Sequence, residues 1–238
     1  MKKLFSIILF LVAACNVSAQ KQFVVDANAE MRELTGTFNR IIVSHAIDLY
    51  LSQSENAGLA VSASEDKYKA GIKTVIENNT LKIYYEGDRN WTKNRHLKVY
   101  VSFKELVYLE ASGSSDVVVA GSIQSPSLDL RFSGASDFKG DVKAGNLSID
   151  LSGASDITIG GTATTLNVES SGASDIKGYE LVTETCNARV SGASDINITV
   201  NKEINARASG ASSVTFKGNA VLKDFHSSGA SSISRKDG

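Results

Sequence analysis

The sequence predicts an all-β fold in which a single chain winds into a parallel β-helix, a solenoid with about 19–20 residues per rung. Three observations lead to this prediction. The pentapeptide SGASD occurs four times without change, and three further copies differ from it by one residue. The copies recur at steps of 18 to 21 residues. Between them, apolar residues alternate with polar ones, which is typical of strands and not of helices.

The repeat has a period that is typical of solenoid proteins. A leucine-rich repeat has a similar length, but it requires a Leu/Asn signature and a helical segment, and neither occurs here. In a β-helix, successive rungs pair in parallel about 4.8 Å apart, so equivalent residues stack into columns along the axis. The first serines of the seven copies are Ser112, Ser133, Ser152, Ser171, Ser191, Ser209 and Ser228.

One full unit, LSIDLSGASDITIGGTATT (147–165), predicts a strand, a bend at Ser-Gly-Ala, a second strand and a third short piece. The apolar residues five and three places before each serine, and directly after each aspartate position, are expected to face the core. Cys186 falls in the inward column that Leu147 and Leu166 occupy in other units. We therefore expect it to be a buried core thiol and not a reactive one.

The glycine column of the motif is expected to form a structural corner, because a tight bend needs the backbone freedom of glycine. Its members are Gly113, Gly134, Gly153, Gly172, Gly192, Gly210 and Gly229. The aspartates of the motif are expected to stack into a ladder of carboxylates: Asp116, Asp137, Asp156, Asp175 and Asp195. In water, two such charges about 4.8 Å apart repel by about 0.9 kcal/mol, which hydrogen bonds at the corner can offset.

Two interpretations of this aspartate ladder remain open. The first is a purely structural corner, which we favour. The second is a metal site with calcium bound along the ladder, although the nine-residue Gly-Asp repeats of calcium-filled β-rolls are absent.

A second exterior column lies two places before each motif serine and carries alternating charge. Opposite charges meet between neighbouring rungs, as at Glu110–Arg131–Asp150 and Glu169–Arg189. Such pairs favour register and solubility, so this column predicts a solvated face. The full column is Glu110, Arg131, Asp150, Glu169, Arg189, Arg207 and His226.

The chain before the repeats is less regular. The stretches 40–53, 58–64, 80–87 and 96–103 alternate apolar and polar residues, and Glu77-Asn78-Asn79 predicts a turn between two strands. We expect residues 37–105 to form irregular N-terminal coils or a cap, residues 106–235 to form the regular rungs of the same β-helix domain (37–238), and residues 20–36 to form a tail.

The first 19 residues are typical of a signal peptide. Lys2 and Lys3 precede an apolar run that is too short to span a bilayer, and Val17-Ser18-Ala19 predicts cleavage before Gln20. The alternative is a lipoprotein, because Val12-Ala13-Ala14-Cys15 resembles a lipobox. Both interpretations predict an exported protein of the periplasm, outer membrane or cell surface, with no transmembrane helix in the mature chain.

Composition and motifs argue against several function classes. The 238 residues carry a net charge of −1, so nothing indicates a nucleic-acid partner. His45, His96 and His226 are scattered, with no HExxH motif, no Cys/His cluster and no G-x-S-x-G elbow. We therefore expect no catalytic residues, no cofactor and no enzymatic activity.

The export signal, the FNRIIVSHAIDLYLSQ stretch, the NNTLKIYY strand and the SG(A/S)SD rungs together resemble the DUF2807 family, described as candidate auto-transporter adhesins with a head GIN domain and common in Bacteroidetes. The resemblance covers roughly residues 37 to 235. It implies a right-handed β-helix like that of pectin lyases, without their catalytic residues, and a role in adhesion. It does not extend to the stalk and membrane barrel of an autotransporter.

The function expected from these observations is that of an exported, non-enzymatic envelope protein, either an adhesin or a structural interaction module. A carbohydrate-binding or carbohydrate-cleaving β-helix is the alternative. The partner is unknown and could be a glycan or a protein.

The C-terminal end is a candidate for self-association or envelope docking. The aspartate ladder gives way to Ser213 and Ser232, while Arg235 and Lys236 make this end basic. On this basis added salt is expected to weaken the association. The alternative is that these charges only keep the last rung soluble.

Overall fold

The computed structural model describes residues 25–87 and 95–236, so the predicted signal peptide and Cys15 lie outside the described residues. Sixteen strands and one short helix, α1 (Asp66–Lys69), are formed in this part of the chain. The strands are β1 (Glu30–Arg32), β2 (Arg40–Val43), β3 (Ile47–Gln53), β4 (Gly58–Ser62), β5 (Ile72–Glu77), β6 (Thr80–Tyr85), β7 (Leu97–Phe103), β8 (Tyr108–Ala111), β9 (Val117–Phe132), β10 (Phe138–Leu151), β11 (Ile157–Ser170), β12 (Ile176–Val190), β13 (Asp195–Ala208), β14 (Ser213–Lys217), β15 (Val221–Ser227) and β16 (Ser232–Arg235).

The repeats stack as the motif spacing predicts. Strands β9 to β13 pair in parallel in chain order, and equivalent residues face each other. Phe138 pairs with Ile157, and Ile157 pairs with Ile176. The predicted parallel β-solenoid is confirmed, with about 7 turns.

Each regular coil is one long strand with a single interruption at the motif, and not the three pieces that the sequence predicts. The ladder of β11 continues without a break through residues 157–170. It bends at Gly161, whose φ is +100°, while its neighbours keep their pairing to β10. The sequence predicted a bend only at Ser-Gly-Ala. At Gly161 the pairing with β10 continues, whereas the register with β12 shifts between Thr158 and Gly161.

The core consists of stacked inward columns. Leu147, Leu166 and Cys186 are equivalent residues of successive coils, and each is 1% exposed or less. Cys186 is thus a core residue, as predicted, and burial raises the pKa of its thiol to about 12. A thiol with this pKa is protonated at neutral pH and is therefore a poor nucleophile.

The N-terminal region provides both coils and a cap. Strands β2 and β3 form a coil beside β8 and β9, and β6 and β7 form the coil beyond it, so the order in space differs from the order along the chain. The turn predicted at residues 77–79 joins β5 to β6, with Asn78 and Asn79 at positive φ.

The outermost elements at this end are antiparallel. Strand β4 pairs with β7, β5 pairs with β6, and α1 lies between β4 and β5 in the chain. Tyr68 of α1 is 7% exposed and belongs to the core cluster, so this segment closes the end of the solenoid. Strand β1, from the stretch predicted as a tail, pairs with β4.

Candidate functional site

The glycine of each motif forms the corner of its coil. The seven predicted glycines all have positive φ, between +66° and +89°. The corners touch directly: the N–H of Ala173 donates to the carbonyl of Gly153 at 2.8 Å. A Cβ on Gly172 would lie 2.4 Å from that same carbonyl oxygen, so this position excludes every other residue unless the backbone moves.

The second serine of the motif forms a buried ladder that sequence reasoning missed. The side chains of Ser136, Ser155, Ser174 and Ser194 are 0% exposed. The N–H of Ser155 donates to the Oγ of Ser174 at 3.2 Å, and the N–H of Ser174 donates to the Oγ of Ser194 at 3.3 Å. Each hydroxyl therefore satisfies a buried N–H of the preceding coil, which explains why this serine is repeated. Its constancy in all seven motifs was the available signal.

The predicted aspartates do stack along the axis, and two of their carboxylates accept hydrogen bonds from the next aspartate. The N–H of Asp156 donates to Oδ1 of Asp137 at 3.0 Å, and the N–H of Asp195 donates to Oδ1 of Asp175 at 3.2 Å. Lys177 lies 3.3 Å from Asp156. Hydrogen bonds of this kind are what the structural interpretation of the ladder expects.

The aspartate ladder continues into the β2–β3 coil, where the sequence did not predict it. The segment Ser44-His45-Ala46-Ile47-Asp48 matches SGASD at its first, third and fifth residues. Its corner stacks on the next one, because the N–H of Ala46 donates to the carbonyl of Gly113 at 3.0 Å. Without a glycine, the bend places His45 and Ala46 at φ of +69° and +56°, a region that is costly for residues with a Cβ.

This first part of the ladder has perturbed electrostatics. Burial, and then the negative charge of Asp116, raises the pKa of Asp48, while Lys98 and His96 partly offset the effect. Burial, and then the charge of Asp137, likewise raises the pKa of Asp116. Within the described residues, no three His, Cys, Asp or Glu side chains are grouped so that they could hold a metal ion. Calcium binding by the ladder stays a hypothesis.

The most extended candidate binding surface is the exterior of the strand that precedes each corner. We call it the asparagine–arginine face. The Nδ2 of Asn187 donates to Oδ1 of Asn167 at 3.0 Å, and Nδ2 of Asn205 donates to Oδ1 of Asn187 at 3.0 Å. Sequence reasoning missed this amide ladder, although the three asparagines recur at one position of the repeat. The face consists of Asn167, Glu169, Asn187, Arg189, Asn205, Arg207, Asp224 and His226.

The charged column of this face has the predicted register, but its ion pairs differ in part from the prediction. Arg189 pairs with Glu169 at 3.3 Å, as expected. Glu110 and Arg131 are neighbours in register, yet Glu110 accepts a hydrogen bond from the Tyr108 hydroxyl, and Arg131 lies over the Tyr108 ring at 5.5 Å. Burial, followed by the contact with Glu110, raises the pKa of Tyr108 to about 12.

Two shallow grooves follow this face along the solenoid axis. One, of about 510 Å³, is lined by the asparagines together with Arg189 and Arg207. The other, of about 360 Å³, lies beside it and is lined by the charged column and the first serines of the motifs. Together they cross several coils of the solenoid.

His45 and His96 lie near the same corner in adjacent coils, whereas His226 lies at the other end of the solenoid. His45 is at the corner of the β2–β3 coil, where its Nδ1 lies 2.8 Å from Ser44 Oγ. His96 immediately precedes β7, and His226 is in β15 of the last coil. Among residues 25–87 and 95–236, no helix is long and apolar enough to cross a membrane.

Comparison with known proteins gives one family and several similar structures. The model of the DUF2807 family, described as "Putative auto-transporter adhesin, head GIN domain", matches residues 37–220. No curated protein matches the chain in sequence.

A "putative adhesin" from Bacteroides fragilis NCTC 9343 has a TM-score of 0.80 and 22% identity, over 89% of this chain and 98% of that chain. A "putative adhesin" from Parabacteroides distasonis ATCC 8503 has a TM-score of 0.70 and 17% identity, over 87% and 96%. A "putative lipid binding protein" from the same strain has a TM-score of 0.68 and 19% identity, over 89% and 98%. At these identities the likeness shows a shared fold.

Proposed function

Since the chain belongs to the DUF2807 family, described as "Putative auto-transporter adhesin, head GIN domain", we propose that it is an exported, non-enzymatic interaction module of the bacterial cell envelope, which binds an extended partner along its asparagine–arginine face. The family description supports adhesion as the class of activity. The signal-peptide pattern of residues 1–19, or a lipid anchor at Cys15, supports a place in the periplasm, at the outer membrane or at the cell surface.

The observation that carries this proposal is the repeated set of outward-facing donors. Asn187 and Asn205 each use an amide N–H to bond the asparagine of the preceding coil, and the second amide N–H of Asn187 is available to a ligand. Arg189 and Arg207 each hold one carboxylate and have further N–H groups. Because the side chains hold one another in place, little conformational entropy is lost when a partner binds.

The partner could be a protein or a glycan, and the hydrogen-bond donors of the asparagine–arginine face favour a glycan. Amide and guanidinium donors spaced by about one strand separation, roughly 4.8 Å, match the hydroxyl and carboxylate acceptors along a polysaccharide. A protein partner would instead be expected to use a more apolar contact at its centre.

A capture experiment on cell-envelope fractions tests the face directly. The double variant Arg189→Gln/Arg207→Gln should capture much less of the envelope partner than the wild type. The control Lys139→Gln/Lys143→Gln removes the same charge from another exposed surface and should bind normally. Equal capture by both variants would count against the face.

Protease treatment of intact cells, with and without permeabilisation, shows whether the protein lies on the cell surface or inside the envelope. Degradation on intact cells supports adhesion to other cells. Survival until permeabilisation would count against host adhesion and would favour an interaction inside the envelope.

A further inference from the structure

The last coil that the structure describes has an open strand edge. Among the described residues, β15 pairs with β13 and β16 pairs with β14, and no strand pairs with their outer edges. Phe225 stands beside Ala206 in an inward column whose earlier members are buried, yet Phe225 is 61% exposed. Val221, at the start of β15, is 60% exposed. An apolar side chain and an open strand edge therefore face outward together.

The opposite end of the solenoid is built differently. There the segment β4–α1–β5 finishes the coils, and Tyr68 closes over the core. Stacking copies head to tail would place an open coil against a closed one. Two open coils, in contrast, present the same exposed groups to each other.

We propose that two copies of this chain associate tail to tail through their C-terminal coils, with a two-fold axis between them. A two-fold contact makes the facing strands antiparallel, which is a geometry that β-pairing accepts. The ring of Phe225 from each copy then packs against the exposed end of the inward column in the other copy. The unpaired backbone N–H and C=O groups of the two strand edges form hydrogen bonds with each other.

The charges at this end are compatible with such a contact, because they fold back onto the preceding coils. Lys223 pairs with Glu203 at 2.6 Å, and Asp224 pairs with Arg207 at 2.8 Å. Arg235 donates to the carbonyl of Ala220 and lies over the Phe216 ring at 5.3 Å. Lys236 Nζ lies 5.0 Å from the Tyr179 ring centre. Lys223 and Asp224 are thus neutralised by ion pairs, and salt in solution screens the remaining charges of Arg235 and Lys236 across the two-fold axis.

This arrangement predicts a different salt dependence of self-association from the one expected from the sequence. The sequence suggests a free basic tip, whose association salt would weaken. In the structure Lys223 is held in an ion pair, and the proposed contact consists of apolar and backbone groups, so added salt should not weaken the dimer. The register irregularity at Lys223 limits the regular edge to residues 224–227, so the contact depends strongly on Phe225.

Sedimentation velocity over a range of concentrations tests the dimer, using the chain without its first 19 residues. The wild type should form a dimer at low and at high salt. Phe225→Ser should raise the dissociation constant by about tenfold or more, because it removes the buried ring. Val182→Ser, at an exposed apolar residue of β12, should leave the constant unchanged. A wild-type monomer at all concentrations, or equal constants for both variants, would overturn the proposal.

Spin labels then establish the orientation. The chain from residue 20 onward has a single cysteine, Cys186, which is buried and should stay unlabelled. A label on His226→Cys should give a short distance between copies, whereas a label on Lys67→Cys in α1 should give a long one. A short distance between the Lys67→Cys labels, or between one label of each kind, would contradict the tail-to-tail arrangement.

Discussion

The backbone N–H of Ser155 donates a hydrogen bond to the Oγ of Ser174, the equivalent serine of the next coil, at 3.2 Å. The contact joins two coils inside the protein, and it recurs between neighbouring motifs. Three residues of SGASD thus have defined positions: the glycine forms the bend, the second serine is buried, and the aspartate lies on the exterior. The motif is constant because every coil must present these groups to the next one.

Removal of one serine hydroxyl should destabilise the protein measurably. In Ser174→Ala, the N–H of Ser155 loses its acceptor while it remains buried, so we expect a loss of about 1–3 kcal/mol in the free energy of unfolding. Ser171→Ala is the control, because Ser171 is exposed. Chemical denaturation monitored by circular dichroism measures both variants, and equal midpoints would contradict the role of the serine ladder.

The glycine corner gives a second prediction. Gly172→Ala should cost about 2 kcal/mol or more, because its Cβ would meet the carbonyl of Gly153 and its φ of +89° disfavours alanine. Ala173→Ser changes the exposed neighbouring residue and should cost little. A Gly172→Ala variant with the wild-type melting temperature would show that the corner can accept a side chain.

The first aspartates of the ladder predict a pH dependence. The pKa of Asp48 is raised from 3.8 on folding, so the folded state binds this proton more tightly and the contribution of the carboxyl to stability falls as pH rises above about 4. Asp48→Asn removes the charge and should raise the melting temperature at pH 7. The difference from the wild type should shrink as pH falls below 4. A variant that is less stable than the wild type at pH 7 and equal to it at low pH would contradict this sign.

Calcium distinguishes the two interpretations of the aspartate ladder. The structural interpretation predicts that chelation leaves the melting temperature unchanged, because N–H groups and Lys177 already hold carboxylates of the ladder. Differential scanning calorimetry with a chelator and with millimolar calcium makes the comparison. A clear rise with calcium would favour the metal-site interpretation, since a ligand that binds the folded state stabilises it.

Some of the repeated features were predictable from the sequence, whereas the serine ladder, the asparagine ladder and the features of single coils were not predicted. The inward columns and the glycine corner follow from spacing, because stacking forces equivalent residues into register. The segment Ser44–Asp48 forms an equivalent corner, but it was not recognised as a copy of the motif, because His45 and Ile47 replace the glycine and the second serine. A cap within residues 37–105 was one of the two expectations, but its topology could not be derived, because β4 and β5 pair antiparallel with β7 and β6.

The exterior was harder to predict than the core. Charge alternation correctly indicated the Arg189–Glu169 pair, but Glu110 and Arg131 both contact Tyr108 of β8, which belongs to no motif. The asparagine ladder was not predicted, because any polar residue on the outward face of a strand satisfies the alternation of apolar and polar residues. Only the stacked geometry shows that the amides bond one another.

The central claim, that equivalent residues stack in columns with one side inward, is tested most directly by the unfolding of Ile157→Asp compared with Thr158→Asp. Ile157 is 0% exposed between Phe138 and Ile176, whereas Thr158 is exposed. We predict that Ile157→Asp lowers the free energy of unfolding by several kcal/mol, roughly 3–5, and that Thr158→Asp changes it by less than about 1 kcal/mol. Equal melting temperatures for the two variants would contradict the register of the solenoid.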